Sequence, residues 1–174
     1  MKMAARIALV SAVLVSMIGC DQATKHIAQK ELQYRAQPIT FAFDTFRLQY
    51  AENKGAFLSL GSTLPPRARY WVFVVFTSAL LVGLTVYLFS KRDLSLIEVL
   101  ALALLLSGGI GNLIDRTMRG GIVVDFMNMG IGSLRTGIFN VADTAVMAGI
   151  FLLIGAHFFD RKQESGEGNE TSNA

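Results

Sequence analysis

The chain has 174 residues with a net charge of +3, and 52% of its residues are hydrophobic. The apolar residues are gathered in long runs, unlike the periodic pattern of a soluble domain, which indicates a membrane protein. The basic residues are scattered, which argues against a nucleic-acid partner. A single cysteine, Cys20, excludes an internal disulfide, and His26 and His157 lie outside any HExxH pattern. We therefore predict no metal site and no other cofactor.

Four apolar runs are candidates for membrane spans, since a helix crossing the hydrocarbon core needs about 20 mostly apolar residues. The first run, residues 7–20, is short and reaches that length only by extending through residues 21–25. The other three runs are residues 70–90, 94–114 and 136–159. The sequence therefore predicts an all-α polytopic membrane protein with four transmembrane helices.

Basic residues indicate the orientation of these spans. Lys2 and Arg6, the pair Lys91 and Arg92, and residues 161–162 all fall on one side of a four-span arrangement. The positive-inside tendency predicts that this side, with both termini, is cytoplasmic. Many basic residues also fall on the opposite side, which weakens the rule, although a functional site facing outward would explain them. We expect an inner-membrane protein with its active site at the periplasmic face.

A strand-like alternation occupies the loop between the first two spans. Apolar residues alternate with polar or small ones from Ile39 to Phe43 and from Phe46 to Tyr50, with a plausible turn at residues 44–45. This pattern predicts a small extracytoplasmic β-sheet at the membrane surface, within an outer loop at about residues 35–62. We predict one membrane domain, residues 1–160, followed by a polar disordered cytoplasmic tail, residues 161–174.

Three aspartates stand out because ionisable groups in or beside a span are costly and mark functional sites. Asp143 lies inside the last span, Asp125 lies among apolar neighbours, and Asp115 lies at the end of the third span beside Arg116 and Arg119. Two neighbouring carboxylates can share one proton, so that one acts as base and the other as acid. We expect Asp125 and Asp143 to form this pair, because arginines holding Asp115 would make it a poor proton shuttle.

Five sequence blocks resemble those of lipoprotein signal peptidase, also called signal peptidase II. They read DQATK at 21–25, NKGAF at 53–57, GGIGNLIDR at 108–116, VVDF at 123–126 and FNVADT at 139–144. The resemblance assigns the catalytic aspartates to Asp125 and Asp143, in agreement with the argument from charge. It assigns supporting or substrate-binding roles to Asp21, Lys25, Asn53, Gly55, Gly108, Asn112, Asp115, Arg116, Asn140 and Ala142.

The resemblance implies an aspartic endopeptidase that cuts prolipoproteins just before a diacylglyceryl-modified cysteine. Its partners would be these prolipoproteins and membrane lipids, and we expect a monomer. The glycines at 108, 109 and 111 would let an extended peptide or acyl chain approach the third span, although helix packing through small residues explains them equally well. Asp21 and Lys25, four residues apart, are expected to form a local structural pair.

Other hypotheses remain at this point. Residues 16–20 resemble a lipobox, which would make Cys20 a lipid-anchored terminus. However, Met17 fits that motif poorly, and three further spans would be left without a purpose. A transporter or channel would usually show internal repeats, and we find none. A non-catalytic assembly factor would leave Asp143 unexplained.

Overall fold

The computed structural model describes residues 1–55, 63 and 65–170 of the chain. Its helices are α1 (Met3–Leu32), α2 (Pro66–Tyr70), α3 (Thr77–Ser90), α4 (Leu96–Met118) and α5 (Val141–Glu170), with a π-helical segment (Trp71–Phe76) leading into α3. Its strands are β1 (Ile39–Phe41), β2 (Phe46–Asn53), β3 (Val123–Ile131) and β4 (Leu134–Arg135). Among the described residues, the segments long and apolar enough to span a membrane are Met3–Leu32, Trp71–Ser90, Leu96–Met118 and Val141–Phe158. The predicted four-span fold with a small sheet is confirmed.

Helix α4 is at the centre of the bundle and packs against α1, α3 and α5. Its buried residues Val99, Leu102 and Leu106 form an apolar cluster with Val10 of α1 and Leu88 of α3. The helix begins with a capping box, in which Ser95 and Glu98 each accept a hydrogen bond from the backbone of the other. Such a box satisfies N–H groups that the first turn leaves free, which explains the single acidic residue at this end of the span.

Helix α1 is longer than the apolar run predicted. Its 30 residues extend about 45 Å, well beyond the ~30 Å hydrocarbon core. Near its start, the buried guanidinium of Arg6 donates to the carbonyl oxygens of Leu88, Lys91 and Arg92 at the end of α3. This contact ties the start of α1 to the end of α3. The two lie at the same face of the membrane, as four alternating spans require.

The four strands form one antiparallel sheet in the order β1-β2-β3-β4. Strands β1 and β2 confirm the predicted small sheet, and residues 56–62 of the predicted outer loop lie outside the described residues. The other half of the sheet was not predicted, because its strands come from the segment between α4 and α5. The last span begins at Val141 rather than at the predicted residue 136, since residues 134–135 form β4 and Phe139 bridges to Met127.

The end of α5 differs from the disordered tail predicted after residue 160. Its backbone is helical through Glu170, and residues 171–174 lie outside the described residues. The residues Arg-Lys-Gln-Glu at 161–164 have high helix propensity, so they continue the preceding helix.

Candidate active site

Asp125 and Asp143 line one cavity of about 430 Å³ at the sheet end of the bundle. Asp125 lies in β3 and is 2% exposed, whereas Asp143 lies in the first turn of α5. The two aspartates predicted to act together are therefore brought to one site by a strand and a helix. The other lining residues are Asn53, Phe73, Thr77, Gly109, Asn112, Arg116, Val123, Thr136, Gly137, Ile138, Phe139, Thr144 and Met147.

Asn140, which is fully buried, links the two carboxylates. Its side-chain oxygen accepts a 2.9 Å hydrogen bond from the Asp143 N–H, and its own N–H donates to Asp143 Oδ2 over 3.2 Å. This reciprocal pair caps the start of α5 in the manner of a capping box. The Asn140 amide group also donates to Asp125 Oδ1 over 2.6 Å. One asparagine thus begins the helix and holds both aspartates.

Two more asparagines donate to the remaining carboxylate oxygens. Asn53, at the end of β2, donates from Nδ2 to Asp125 Oδ2 over 2.9 Å. Asn112, on α4, donates from Nδ2 to Asp143 Oδ1 over 2.8 Å. Each carboxylate oxygen therefore accepts one N–H, while a carboxylate has about four acceptor positions in total. The asparagines therefore hold both carboxylates in place, and each carboxylate keeps free acceptor positions that can bind a water molecule.

The pKa of Asp125 is raised from 3.8 to about 7, first by burial and second by the nearby charge of Asp143. Hydrogen bonds from Asn53 and Asn140 act in the opposite direction, because they favour the ionised form. A carboxyl with this pKa can hold a proton at neutral pH and release it during a reaction. Asp125 therefore has the protonation behaviour expected of one member of an acid–base pair.

A buried ion cluster lies directly behind the aspartates. The Lys25 ammonium is 2.8 Å from Asp21 Oδ2 and 3.0 Å from Asp115 Oδ2, and all three side chains are at most 1% exposed. It also donates to Asn112 Oδ1 over 3.0 Å. The predicted pair of Asp21 and Lys25 is present, but it is one part of a larger cluster that joins α1 to α4.

The cluster also fixes the elements that carry the catalytic candidates. Asp21 Oδ1 accepts a 2.8 Å hydrogen bond from the N–H of Ala142, in the first turn of α5. Asp115 Oδ2 accepts one of 3.1 Å from the N–H of Val124, the residue before Asp125. Each buried carboxylate thus holds the backbone beside one of the two aspartates in the cavity.

Of the two arginines expected as ion-pair partners of Asp115, Arg119 makes the pair and Arg116 does not. Arg119 pairs with Asp115 at 3.5 Å, whereas Arg116 donates to the carbonyl oxygen of Gly55 over 2.9 Å and lies over the Phe73 ring. Neighbouring residues on a helix point about 100° apart, so Arg116 faces the cavity while Asp115 faces α1. The buried Gly55 donates its N–H to Asn53 Oδ1 and so completes this corner of the cavity.

The glycines of α4 serve mainly helix packing. A Cβ at Gly108 would lie 2.3 Å from the Ala142 carbonyl oxygen, and one at Gly111 would lie 2.8 Å from Asp21 Oδ2. These two positions allow α5 and α1 to approach α4 closely. Gly109 lines the cavity and faces Leu81 of α3. A Cβ at Gly109 would lie 2.5 Å from Leu81 Cδ2, so helix packing accounts for all three glycines, and Gly109 also borders the cavity.

Sequence reasoning missed the part of the site that comes from the second span. Phe73 and Thr77, four residues apart in the π-helical segment and the start of α3, line the cavity on the same helix face. A polar threonine at this spacing from an aromatic residue was the only available signal. Among the residues that the structure describes, no group of three or more His, Cys, Asp or Glu side chains could hold a metal ion.

Known proteins are similar to this chain in both sequence and fold. Residues 13–159 match the family model described as Signal peptidase (SPase) II. The chain is 34% identical to the lipoprotein signal peptidase of Borrelia turicatae (strain 91E135) over 153 residues, which cover 86% of this chain and 89% of the relative. It is 37% identical to that of Sphingopyxis alaskensis (strain DSM 13593 / LMG 18877 / RB2256) over 135 residues, covering 77% and 76%. A solved bacterial membrane enzyme superposes with a TM-score of 0.78 at 28% identity, covering 90% of this chain and 92% of that one.

Proposed function

Because the chain belongs to the signal peptidase II family, it is a multi-pass membrane peptidase, and we propose that it is an aspartic endopeptidase acting on prolipoproteins. In this proposal the enzyme cleaves the peptide bond just before a diacylglyceryl-modified cysteine. The observation that carries this proposal is the pair of aspartates, Asp125 and Asp143, held at one cavity by the shared partner Asn140. Relatives named lipoprotein signal peptidase support the substrate class.

In the proposed mechanism the two aspartates start with one proton between them. Asp125, with a pKa of about 7, holds that proton, and Asp143 accepts a proton from the attacking water. As the water oxygen bonds to the scissile carbonyl carbon, Asp125 gives its proton to the carbonyl oxygen. Asp143 then passes the water-derived proton to the leaving nitrogen, the C–N bond breaks, and the resulting acid returns a proton to Asp125. No cofactor is needed for this sequence.

Polar groups around the cavity suit an extended peptide. Arg116 and Asn53 line the same space as the aspartates, and both present N–H donors. In our proposal they hold backbone carbonyls of the substrate on either side of the scissile bond. Donors fixed before the substrate arrives stabilise developing negative charge without reorganisation, which makes them effective in catalysis.

The wall of the cavity suits the lipid on the substrate. It is bordered by Phe73 and Thr77 from the second span, Gly109 from α4, and Thr144 and Met147 from α5. An acyl chain bound against these helices would contribute about 0.8 kcal/mol for each buried methylene. The chain would enter sideways from the bilayer. This arrangement supports a peptidase that requires the lipid modification and acts as a monomer, since one chain supplies both aspartates and the cavity.

The decisive experiment compares cleavage of one prolipoprotein with and without its diacylglyceryl group, using purified enzyme in lipid vesicles. We expect the modified substrate to be cut many times faster at equal concentration. Equal rates for the two forms would contradict the proposed substrate class. Cys20→Ala should leave both rates unchanged, because Cys20 is an exposed residue within the continuous helix α1.

The orientation is proposed from the basic residues, with both termini in the cytoplasm and the aspartates at the periplasmic face. Single cysteines at Gln33, Ser133 and Ser95, each in the Cys20→Ala background, test it. An impermeant thiol reagent added to intact spheroplasts should label the first two and leave the third unlabelled. The opposite pattern, with only Ser95→Cys labelled, would invert the orientation.

A further inference from the structure

One face of the sheet ends in an exposed apolar surface. Strand register places Phe41, Phe46 and Met129 in one cross-strand row, and Ile131 projects to the same face two residues beyond Met129. Ile131 is in turn paired with Leu134 of β4. Ile131 and Leu134 are 80% and 83% exposed, and Phe41 and Met129 are about half exposed. We call this surface, together with Phe43 in the adjoining turn, the apolar sheet tip.

The turn between β1 and β2 holds an aromatic ring away from the rest of the protein. Phe43 is fully exposed, and it lies between Ala42 and Asp44 in a run of three positive φ angles, 49°, 52° and 67°. Residues with side chains rarely adopt this conformation in succession. Arg47 binds the Asp44 carboxylate, and Arg135 donates to the Asp44 carbonyl oxygen over 2.8 Å. Two arginines thus stabilise the turn conformation in which the side chain of Phe43 is exposed.

The same sheet face indicates what covers the tip. Its preceding row, formed by Ile39, Leu48 and Met127, packs around Ala28 and Leu32 at the C-terminal end of α1. Because α1 is long and apolar enough to span a membrane and this face of the sheet packs on its C-terminal end, the apolar sheet tip lies next to the end of a membrane span.

The charges at the tip also suit a lipid surface. Arg47 and Arg135 accompany a single carboxylate, Asp44, which leaves one positive charge in excess at this end of the sheet. Aromatic and aliphatic side chains beside cationic groups are typical of segments that insert into the headgroup region. A group of exposed apolar side chains on one face is typical of an interaction site.

We propose that the apolar sheet tip inserts into the leaflet at the active-site end of the bundle, with Phe43 and Ile131 as its membrane anchors. The insertion holds the sheet against the bilayer. Since β3 also contains Asp125, the insertion sets the distance of that carboxylate from the lipid surface.

Fluorescence quenching in vesicles tests the insertion directly. Trp71 is the only tryptophan, so the Trp71→Phe protein gives a dark background for Phe43→Trp or Ile131→Trp. Both substitutions are at exposed positions and should fold normally. Phosphatidylcholine brominated near the top of its acyl chains should quench most of the emission at either position. Bromines near the chain ends should quench much less. Val15→Trp, exposed within the α1 span, should show the opposite preference.

Three results would overturn the proposal. Emission typical of water-exposed indole, quenched by acrylamide and not by brominated lipid, would mean that the tip projects into solvent. Blue-shifted emission that brominated lipid does not quench would mean that a second copy of the chain covers the tip. Quenching or a blue shift that requires added prolipoprotein would make the tip part of the substrate site. Since enzyme activity is not measured, these outcomes are independent of the proposed function.

Discussion

Lys25 donates a 3.0 Å hydrogen bond to the side-chain oxygen of Asn112, and this contact determines which way the amide faces. Asn140 donates to the same oxygen over 3.1 Å. With its oxygen occupied twice, Asn112 presents its NH₂ group to Asp143, which accepts over 2.8 Å. The buried ammonium therefore acts on Asp143 through Asn112, in addition to neutralising the two carboxylates of its own cluster.

Lys25→Met should destabilise the protein strongly. Removing one partner from a buried ion cluster leaves uncompensated charge on Asp21 and Asp115, which typically costs about 3–5 kcal/mol. The melting temperature in detergent should fall markedly, and the fraction that remains folded should turn over substrate more slowly because Asn112 is no longer oriented. Lys30→Met is the matched control on the same helix. Its ion pair with Glu31 is 3.9 Å long and exposed, so its loss should change neither quantity measurably.

Gly108→Ala should disturb the start of α5. The added Cβ would lie 2.3 Å from the Ala142 carbonyl oxygen, and a backbone group cannot move aside without shifting the helix. We expect a loss of about 1–3 kcal/mol in the free energy of unfolding, as is usual for overpacking. Turnover should also fall, because Asp143 moves with the same turn. Gly19→Ala on α1 adds a methyl group to open space, so its melting temperature should stay the same or rise slightly.

The raised pKa of Asp125 gives the protein a specific dependence of stability on pH. Its pKa is about 7 in the folded protein against 3.8 ordinarily, so between these values the folded state holds a proton that the unfolded state has lost. The stabilisation from Asp125 is fully present below about pH 4 and is lost as the pH rises through about 7. Asp125→Asn removes this term by keeping the group neutral.

The measurement is the melting temperature of both proteins in detergent at several pH values. The difference, variant minus parent, should grow from pH 5 to pH 8, and the carboxylates that do not interact with Asp125 cancel because both proteins contain them. A constant difference across this range would show that the pKa of Asp125 is not raised.

The spans could be predicted, and the two aspartates that line the cavity could be singled out as candidates, because each depends on local sequence. Long apolar runs define membrane helices, and a carboxylate such as Asp143 within one is conspicuous. Strand β3 could not be predicted, because its pairing with β2 joins segments about seventy residues apart, as in the contact from Asn53 to Asp125. A strand whose partner is distant has no local turn signal to reveal it.

The contacts of Arg116 could not be predicted for a related reason. Sequence proximity suggested Asp115, but adjacent helical residues point in different directions, and the cation nearest to Asp115 is Lys25 from α1. Lys25 could be linked locally only to Asp21, four residues before it. Its contact with Asn112 depends on how α1 packs against α4, which helical periodicity alone does not fix.

The proposed dyad makes a prediction about how substitutions combine. If Asp125 and Asp143 share one proton across the attacking water, neither works alone, so their effects on turnover should not add. Asp125→Asn and Asp143→Asn should each abolish measurable cleavage of lipid-modified substrate, and the double variant should be no worse. Each should still insert and fold, because a neutral amide of similar shape removes the energetic cost of a buried charge.

Asp115→Asn is the matched control, since it removes an equally buried carboxylate that lies behind the cavity. It breaks the pairs with Lys25 and Arg119 and weakens the hold on the Val124 N–H. We therefore expect a lower melting temperature with residual cleavage by the folded fraction, the reverse of the pattern for the two dyad variants. Turnover and melting temperature measured on all four variants separate these outcomes. If Asp125→Asn kept its activity while Asp115→Asn was well folded and inactive, Asp115 would replace Asp125 as the partner of Asp143.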